Sequence, residues 1–451
     1  MKWFEALSTS AASCLDYPNS TTEAYNQLSQ HVPQSFTIEE LRHAAEGFLA
    51  RNESIAAESL LAVLTCLRYP QRLANLPSSE LSSLQRLARI IADAIAPVIT
   101  KSQDAIDDDD DIPAVFNDEL KQAREQLVNC SRTLSNLGIE ALDELLAISD
   151  NEVKFDEETL ITILAFTDQE KDDWNPSENP ETTARATRIL EQQLQSNSGA
   201  KDSFITEIIL QRYLRPLFSR SKPTSITSSG RKAEYIDSIR RGENIPDDTS
   251  LTKPWKYTDL RAVPAISWAV AQADKSLIAQ HWPLYTPVLL TLADDNSTPL
   301  RRRGLLLMTD FLSKLPSKIL RSTGLASVFE DAAFPTLAFL PSLTPDDASV
   351  QLLPAAYEVL RTLARKRAEA ETELGSGEKE KMALLDKVMR EGVFMGYFHA
   401  KEHVRVVEVL CRETQIILGE MGVHGVKHLK VRKSPERRMV ESLDRPRVNS
   451  L

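Results

Sequence analysis

Apolar residues recur at helical spacing from Ser276 to Ala293, and a second apolar segment begins after a short polar interruption. The interruption contains Asp294, Asp295 and Pro299, which is typical of a turn followed by the start of a new helix. The second segment has small or apolar residues at intervals of three or four positions, at Leu300, Gly304, Leu307, Phe311 and Leu315. Residues with this spacing share one face of a helix. The two segments therefore predict a helical hairpin.

A second hairpin of the same kind follows, with helices predicted over residues 320–340 and 350–364 and a turn rich in proline and aspartate between them. Two leucine pairs recur at an offset of 48 residues: Leu289 with Leu292, and Leu337 with Leu340. This offset is near the top of the range for HEAT and armadillo repeats. Because one hairpin cannot bury its apolar face alone, neighbouring hairpins must stack on it. The pattern predicts an all-α fold, an α-solenoid of HEAT/armadillo-like helical hairpin repeats, with an ordinary helical bundle as the alternative.

The distribution of helical and polar segments predicts four parts of the chain. Residues 1–218 form an N-terminal helical repeat region, interrupted by an acidic loop at residues 104–112 that contains five consecutive aspartates. Residues 219–253 are rich in Ser, Thr, Pro and Gly and are predicted to be a linker or long loop, with phosphorylation sites or a partner-binding strap as the alternative. Residues 254–424 form a C-terminal HEAT-like repeat region, and residues 425–451 form a basic tail with eight Lys or Arg and three acids.

The N-terminal region also carries a helix start signal. Thr37 and Glu40 have the spacing of a capping box, in which each side chain accepts a hydrogen bond from the backbone N–H of the other residue. Apolar positions with helical spacing follow, beginning at Leu41. We therefore predict that a helix begins at Ile38.

Composition narrows the class of protein. A hydrophobic fraction of 42% in 451 residues is enough for a sizeable core, and only 14 glycines argue against a chain rich in β-hairpins. The four cysteines lie far apart, which is typical of thiols in a reducing compartment. A net charge of −12 disfavours broad binding to nucleic acid. No signal peptide or membrane-spanning run is evident, so we expect a soluble intracellular protein.

One short motif resembles a catalytic site. His399, Glu402 and His403 match the H-x-x-E-H pattern, in which two histidines bind zinc and the glutamate activates water. Neither a phosphate-binding glycine loop nor a nucleophile elbow occurs in the sequence. We therefore predict a protein that is not an enzyme and has no catalytic residues, cofactor or metal, with a zinc hydrolase as a remote alternative.

Three consecutive arginines are the candidate partner-binding residues. Arg301, Arg302 and Arg303 lie at the start of a predicted helix and fan away from its apolar stripe. Positive charge at this end of a helix opposes the helix dipole unless an acidic group offsets it. The acidic group is either on a partner or, as the alternative, is supplied by Asp294 and Asp295 across the turn.

Several short segments of the C-terminal half together resemble one family. The segments are His281-Trp282-Pro283, Pro287 to Leu290, Asp294-Asp295, Arg301 to Gly304, Gly324-Leu325, Val328-Phe329 and Leu340-Pro341, with Leu214 to Phe218 and Gly230 to Lys232 before them. They are similar to the Tel-two-interacting protein two (Tti-two) family over residues 205–365. The resemblance implies a HEAT-like α-solenoid that is a subunit of the TTT complex.

For function, the same resemblance implies a non-enzymatic adaptor that docks directly on the large Tel-two-interacting protein one (Tti-one) subunit. Through the complex it would meet the Tel-two subunit, the heat-shock protein 90 system and phosphatidylinositol-3-kinase-related kinases, whose maturation and stability the family supports. The implied location is cytoplasmic and nuclear, with no nucleic-acid or membrane partner. An armadillo-like transport or trafficking adaptor, which would bind extended peptides, is the alternative.

Overall fold

The computed structural model divides the chain into two compact units. One comprises Met1–Leu217 with Asp248–Ala269, and the other comprises Phe218–Asp247 with Val270–Leu451. The residues that the structure describes are 2–15, 25, 27–49, 53–74, 80–97, 114–168, 180–195, 199–221, 225–227, 231–232, 248–369 and 376–429. Among these residues no helix combines the length and apolar character that crossing a membrane requires.

Helices account for most of the described residues before position 273. In chain order they are α1 (Lys2–Leu15), α2 (Ile38–Leu49), α3 (Glu53–Leu67), the 3₁₀ turn Pro70–Arg72, α4 (Leu81–Ile95), α5 (Ala114–Ile148), α6 (Glu157–Ala165), α7 (Pro180–Leu194), α8 (Ala200–Ser203), the π-helix Phe204–Leu214, α9 (Arg215–Phe218), α10 (Pro254–Tyr257) and α11 (Ala262–Gln272). Within the first unit α3 packs along α5, α1 packs on α3, and α2 packs on α4. The apolar faces of these helices are buried against one another.

The predicted capping box is present at the start of α2. The backbone N–H of Glu40 donates to Oγ1 of Thr37 at 3.1 Å, and the N–H of Thr37 donates to Oε2 of Glu40 at 2.9 Å. These two bonds satisfy donors that have no partner within the helix itself. The start of α2 at Ile38 is therefore confirmed.

Helices also form most of the described part of the second unit. From residue 275 onward they are α12 (Lys275–Ala293), α13 (Thr298–Lys314), α14 (Ser317–Thr323), α15 (Leu325–Ala333), the 3₁₀ helix Phe334–Ala338, α16 (Asp346–Glu369), α17 (Ser376–Lys387), the π-helix Val388–Phe394, α18 (Met395–Ala400), α19 (Val404–Met421), the 3₁₀ turn Gly422–Gly425 and α20 (Val426–Leu429). The pair α12 and α13 is the first predicted hairpin. Its second helix packs against α16, the second helix of the next hairpin, and α16 in turn packs against α17 and α19. The all-α, solenoid-type fold class is thus confirmed, with hairpins stacked on their neighbours.

Gly304 sets the close approach of the two helices in the first hairpin. A Cβ atom at this position would lie 2.5 Å from the backbone nitrogen of Ala293 and 2.6 Å from the carbonyl carbon of Leu292. Both are backbone atoms that cannot rotate away. Glycine at the predicted stripe position therefore allows α13 to cross directly over the end of α12.

The first helix of the second hairpin differs from its prediction. Instead of one helix over residues 320–340, α14 ends at Thr323, α15 begins at Leu325, and a 3₁₀ helix follows from Phe334. Gly324 has φ +72°, a left-handed conformation that ends an α-helix. Pro335 lies where the α-helix changes to the tighter 3₁₀ form. Local backbone chemistry thus divides one apolar stripe into three short segments.

The four predicted parts of the chain stay predictions. The acidic loop at residues 104–112 lies outside the described residues, as does most of the basic tail, from residue 430. Parts of the predicted linker are described, and they contact helices of the second unit. The hydroxyl of Thr291 donates to the carbonyl of Ser221 at 3.1 Å, and Nζ of Lys232 lies 2.8 Å from Oγ of Ser327.

Candidate partner-binding surfaces

Arg301 is buried and caps the end of α12. The residue is only 6% exposed. Its Nε donates a hydrogen bond to the carbonyl of Asp295 at 2.9 Å, and Nη2 donates one to the carbonyl of Asp294 at 3.2 Å. The guanidinium carbon also lies 4.5 Å from the centre of the Phe339 ring. A cation over an aromatic face and at a helix C-terminus is stabilised by both. The turn named in the alternative thus contacts Arg301, and the hydrogen bonds are made by its backbone carbonyls and not by its carboxylates.

Burial and neighbouring negative charge shift the pKa of the Arg301 guanidinium in opposite directions. Burial lowers the pKa of Arg301, and the nearby carboxylates of Asp294 and Asp295 act to raise it; the net pKa is below its ordinary value. We name Arg301, Asp294, Asp295 and Phe339 the arginine turn. The Arg301 guanidinium therefore has hydrogen-bond partners within the chain.

The other two candidate arginines differ in exposure. Arg303 is 7% exposed, and Arg302 is half-buried. The expectation that all three arginines fan away from the helix stripe is therefore wrong for Arg301 and Arg303, because both residues are buried. Partner binding through Arg301, Arg302 and Arg303 itself stays a prediction.

The H-x-x-E-H segment does not lie on one continuous helix. α18 ends at Ala400, Glu402 lies in a turn, and His403 precedes the first residue of α19. The i, i+4 relation that would place His399 and His403 side by side requires an unbroken helical turn. Within the described residues, no group of three or more His, Cys, Asp or Glu side chains is arranged to hold a metal ion.

His403 instead ties together two turns of the second unit. Its Nδ1 lies 2.9 Å from a carboxylate oxygen of Asp346, at the start of α16. Arg405, in the first turn of α19, forms an ion pair with Asp347. These two pairs hold the turn before α16 beside the turn between α18 and α19.

Large apolar side chains are exposed on these joined turns. Leu343 is 91% exposed, Val404 is 70% exposed and Phe398 is 59% exposed. We name Leu343, Phe398 and Val404 the turn patch. Burying such side chains is worth about 1.5–3 kcal/mol each, so exposed apolar residues beside joined turns offer anchors for an interaction. The geometry can therefore anchor a partner protein.

The sequence pattern did not single out the turn patch. Phe398 and Val404 lie in the predicted C-terminal HEAT-like repeat region, residues 254–424, and no role is predicted for either of them from the sequence. One helix ends at Ala400 and the next begins at Val404, so the two residues lie on different helices on either side of a turn. The signal that could have located the turn between them is the polar run Lys401-Glu402-His403.

Comparison with known proteins identifies a family whose model covers both of these surfaces. A family model described as the Tti2 family matches residues 159–431, more than half of the chain. The match includes the arginine turn, the turn patch and the whole of the segment, residues 205–365, that carries the resemblance in the sequence. No solved structure matches the chain. The match over residues 159–431 shows that this chain belongs to the Tti2 family.

Proposed function

We propose that this chain is a non-enzymatic scaffold subunit of the TTT complex and docks directly on the large Tti-one subunit. The observation that carries the proposal is the Tti2 family match over residues 159–431. Through that complex the chain would support the maturation and stability of phosphatidylinositol-3-kinase-related kinases, with the Tel-two subunit and the heat-shock protein 90 system. Its location would be cytoplasmic and nuclear.

The physical character of the second unit supports a scaffold role. Stacked helical hairpins present long surfaces, on which a few apolar anchors supply most of the binding energy. The turn patch offers three such anchors, bordered by the ion pairs of Asp346 and Asp347. An apolar centre with a polar rim is the usual composition of a protein–protein interface. We propose the turn patch as a contact with Tti-one.

Affinity purification from the native cells tests the assignment. The tagged chain should recover Tti-one and Tel-two in near-equal amounts, identified by mass spectrometry. The triple variant Leu343→Ser, Phe398→Ser, Val404→Ser should recover less Tti-one at unchanged thermal stability, because its targets are exposed.

A matched control separates the interface from general surface effects. Leu251 is 70% exposed in the first unit, and Leu251→Ser should leave recovery unchanged. Recovery of the wild-type chain without Tti-one and Tel-two would reject the TTT assignment. Recovery of both by the triple variant at wild-type level would reject the turn patch alone.

A further inference from the structure

A groove in the second unit is lined by cations from several separate helices. Its main part has a volume of about 710 Å³ and lies between the start of α12, the end of α13, α14 and the C-terminal part of α16. A smaller part of about 350 Å³ continues from it and shares Ser317, Arg321 and Lys366. Both volumes are in the range of pockets that bind ligands.

The charge of this groove is opposite to that of the chain. Its lining has six cationic side chains, from Lys275, Lys314, Lys318, Arg321, Lys366 and Arg367. Two acids, Glu369 and Glu380, line it as well, which leaves an excess of four positive charges. The whole chain has a net charge of −12. The groove is therefore a local basic site on an acidic protein.

The six cations have different structural roles. Nζ of Lys314 donates to the carbonyls of Val270 and Ala271 at 2.7 Å and to that of Ala273 at 2.9 Å, so it holds the end of α11. Arg367 is likewise held, by the Glu330 carboxylate at 2.6 Å. These two side chains stabilise the walls of the groove.

The mouth of the groove carries solvent-exposed positive charge. Lys275, Lys318 and Arg321 are exposed, and Arg321 forms an ion pair of 3.9 Å with the carboxylate of Glu380. Long, exposed cationic side chains can turn toward an incoming anion at little cost. We name Lys275, Lys318 and Arg321 the mouth cations.

The pKa of Glu369 indicates that the groove favours negative charge. Burial acts to raise the pKa of its carboxyl, but the Lys366 ammonium at 3.0 Å, the Ser317 hydroxyl and the charge of Lys275 outweigh burial and leave the pKa below its ordinary value. A carboxylate placed in this groove is thus stabilised in its charged form. An acidic side chain from another molecule would meet the same groups.

The groove also has an apolar wall, lined by Pro316, which is partly exposed, and by Leu315, Leu320 and Leu363, which are buried. A free phosphate or a nucleic-acid backbone would make no use of this wall. A long polyanion would also be repelled by the acidic remainder of the chain, whereas a short acidic segment responds mainly to charges within about 10 Å at 0.1 M salt. We propose that the groove binds a short acidic segment of a partner protein that also carries apolar residues.

This proposal goes beyond membership of the TTT complex and is tested on the isolated full-length chain. The probe is a fluorescein-labelled peptide of repeating Glu-Glu-Leu units, and its anisotropy is measured at low and high salt. We expect saturable binding that weakens with salt. Reversal of two mouth cations, Lys318→Glu with Arg321→Glu, should weaken it about tenfold or more, because rim charges now oppose the ligand.

Two controls separate the groove from general charge effects. The matched variant Lys401→Glu with Arg412→Glu makes the same change in net charge at exposed residues of the second unit outside the groove, and should retain the wild-type affinity. A Glu-Glu-Ser peptide, which lacks the apolar residues, should bind more weakly than the Glu-Glu-Leu peptide. If the reversal variant fails to fold, Lys318→Ala with Arg321→Ala replaces it.

Several results would overturn the proposal. These are no binding of the peptide, equal loss in the groove and control variants, and equal affinity for the two peptides. Displacement of the peptide by inorganic tripolyphosphate or oligothymidine at comparable concentration would identify a general anion site instead. Recovery of the TTT subunits is a separate measurement, so either proposal can fail without the other.

Discussion

Two successive hairpin turns of the second unit lie 48 residues apart in sequence and differ in which side chains they bury. In the arginine turn, Asp295 is buried and accepts a hydrogen bond from the N–H of Ser297 at 2.9 Å, while Arg301 caps the helix end. In the corresponding turn before α16, Leu343 is almost fully exposed. One turn thus buries charge and the other exposes apolar surface. The difference teaches that a hairpin turn can be part of the packing, where the next helix supplies a side chain such as Arg301 to cover it. It can also be a binding surface, where its own apolar side chain stays exposed.

Charge reversal in the arginine turn should have the largest effect on stability. Arg301→Glu removes the donors to the carbonyls of Asp294 and Asp295 and places a carboxylate beside them, so unfolding should become easier by about 3–5 kcal/mol. Urea denaturation measures the change. Arg302→Glu, at a half-buried neighbour, should cost much less.

Equal destabilisation by the two arginine variants would show that the helix start, and not the buried guanidinium, determines the effect. The result also bears on partner binding. Because Arg301 and Arg303 are both buried, charge reversal at either position should disturb the fold as well as any partner contact. Partner-binding tests at this turn therefore belong at Arg302.

The close helix crossing beside the arginine turn gives the next largest effect. Gly304→Ala forces a Cβ atom against the backbone of Leu292 and Ala293 and should cost about 1–3 kcal/mol. Gly47→Ala is the matched control, because nothing lies within 4 Å of its Cβ position in α2. That substitution should stabilise the chain by up to about 1 kcal/mol through helix propensity. Similar losses at both positions would contradict the tight crossing.

A smaller effect is expected in the exposed turn. Ser342 has φ +102°, a backbone conformation that glycine adopts more readily than serine. Ser342→Gly should therefore stabilise the chain or leave it unchanged, by about 0–1 kcal/mol, in thermal unfolding. A clear loss of stability would mean that the serine side chain holds the turn.

The smallest effect on stability is expected at Leu343. Leu343→Ser should change the free energy of unfolding by less than about 0.5 kcal/mol, because the side chain is exposed. Its recovery of Tti-one should nevertheless fall, whereas Leu251→Ser should lose neither stability nor recovery. Destabilisation by Leu343→Ser would show that this turn also packs, and the contrast between the two turns would disappear.

Local periodicity was enough to predict much of the fold. The stripe that includes Phe311 and the interruption at Asp294 predicted the first hairpin, and Thr37 with Glu40 predicted the start of α2. These signals act over a few residues, so the sequence displays them directly. Gly324 shows the limit, because an apolar stripe does not reveal where a left-handed residue will divide it.

The candidate sites depend on relations that no local pattern contains. Arg301 packs against Phe339, which comes from the next hairpin, and Val404 is exposed at the first residue of a helix that follows a turn. The basic groove combines Lys275 with Lys366, which are far apart in sequence. Sequence reasoning therefore identified the family and the hairpins, and the structure was needed to place the surfaces.

Arg301 has one further consequence, for how the second unit opens. It belongs to the first hairpin, yet it lies over Phe339 and 3.4 Å from the hydroxyl of Thr336, both in the second hairpin. Fraying of either hairpin would strip this guanidinium of half its partners. The slowest amide hydrogens of the two hairpins should therefore exchange at a common rate, because the hairpins unfold as one cooperative unit. In a repeat array without such a shared side chain, the hairpins would unfold one at a time.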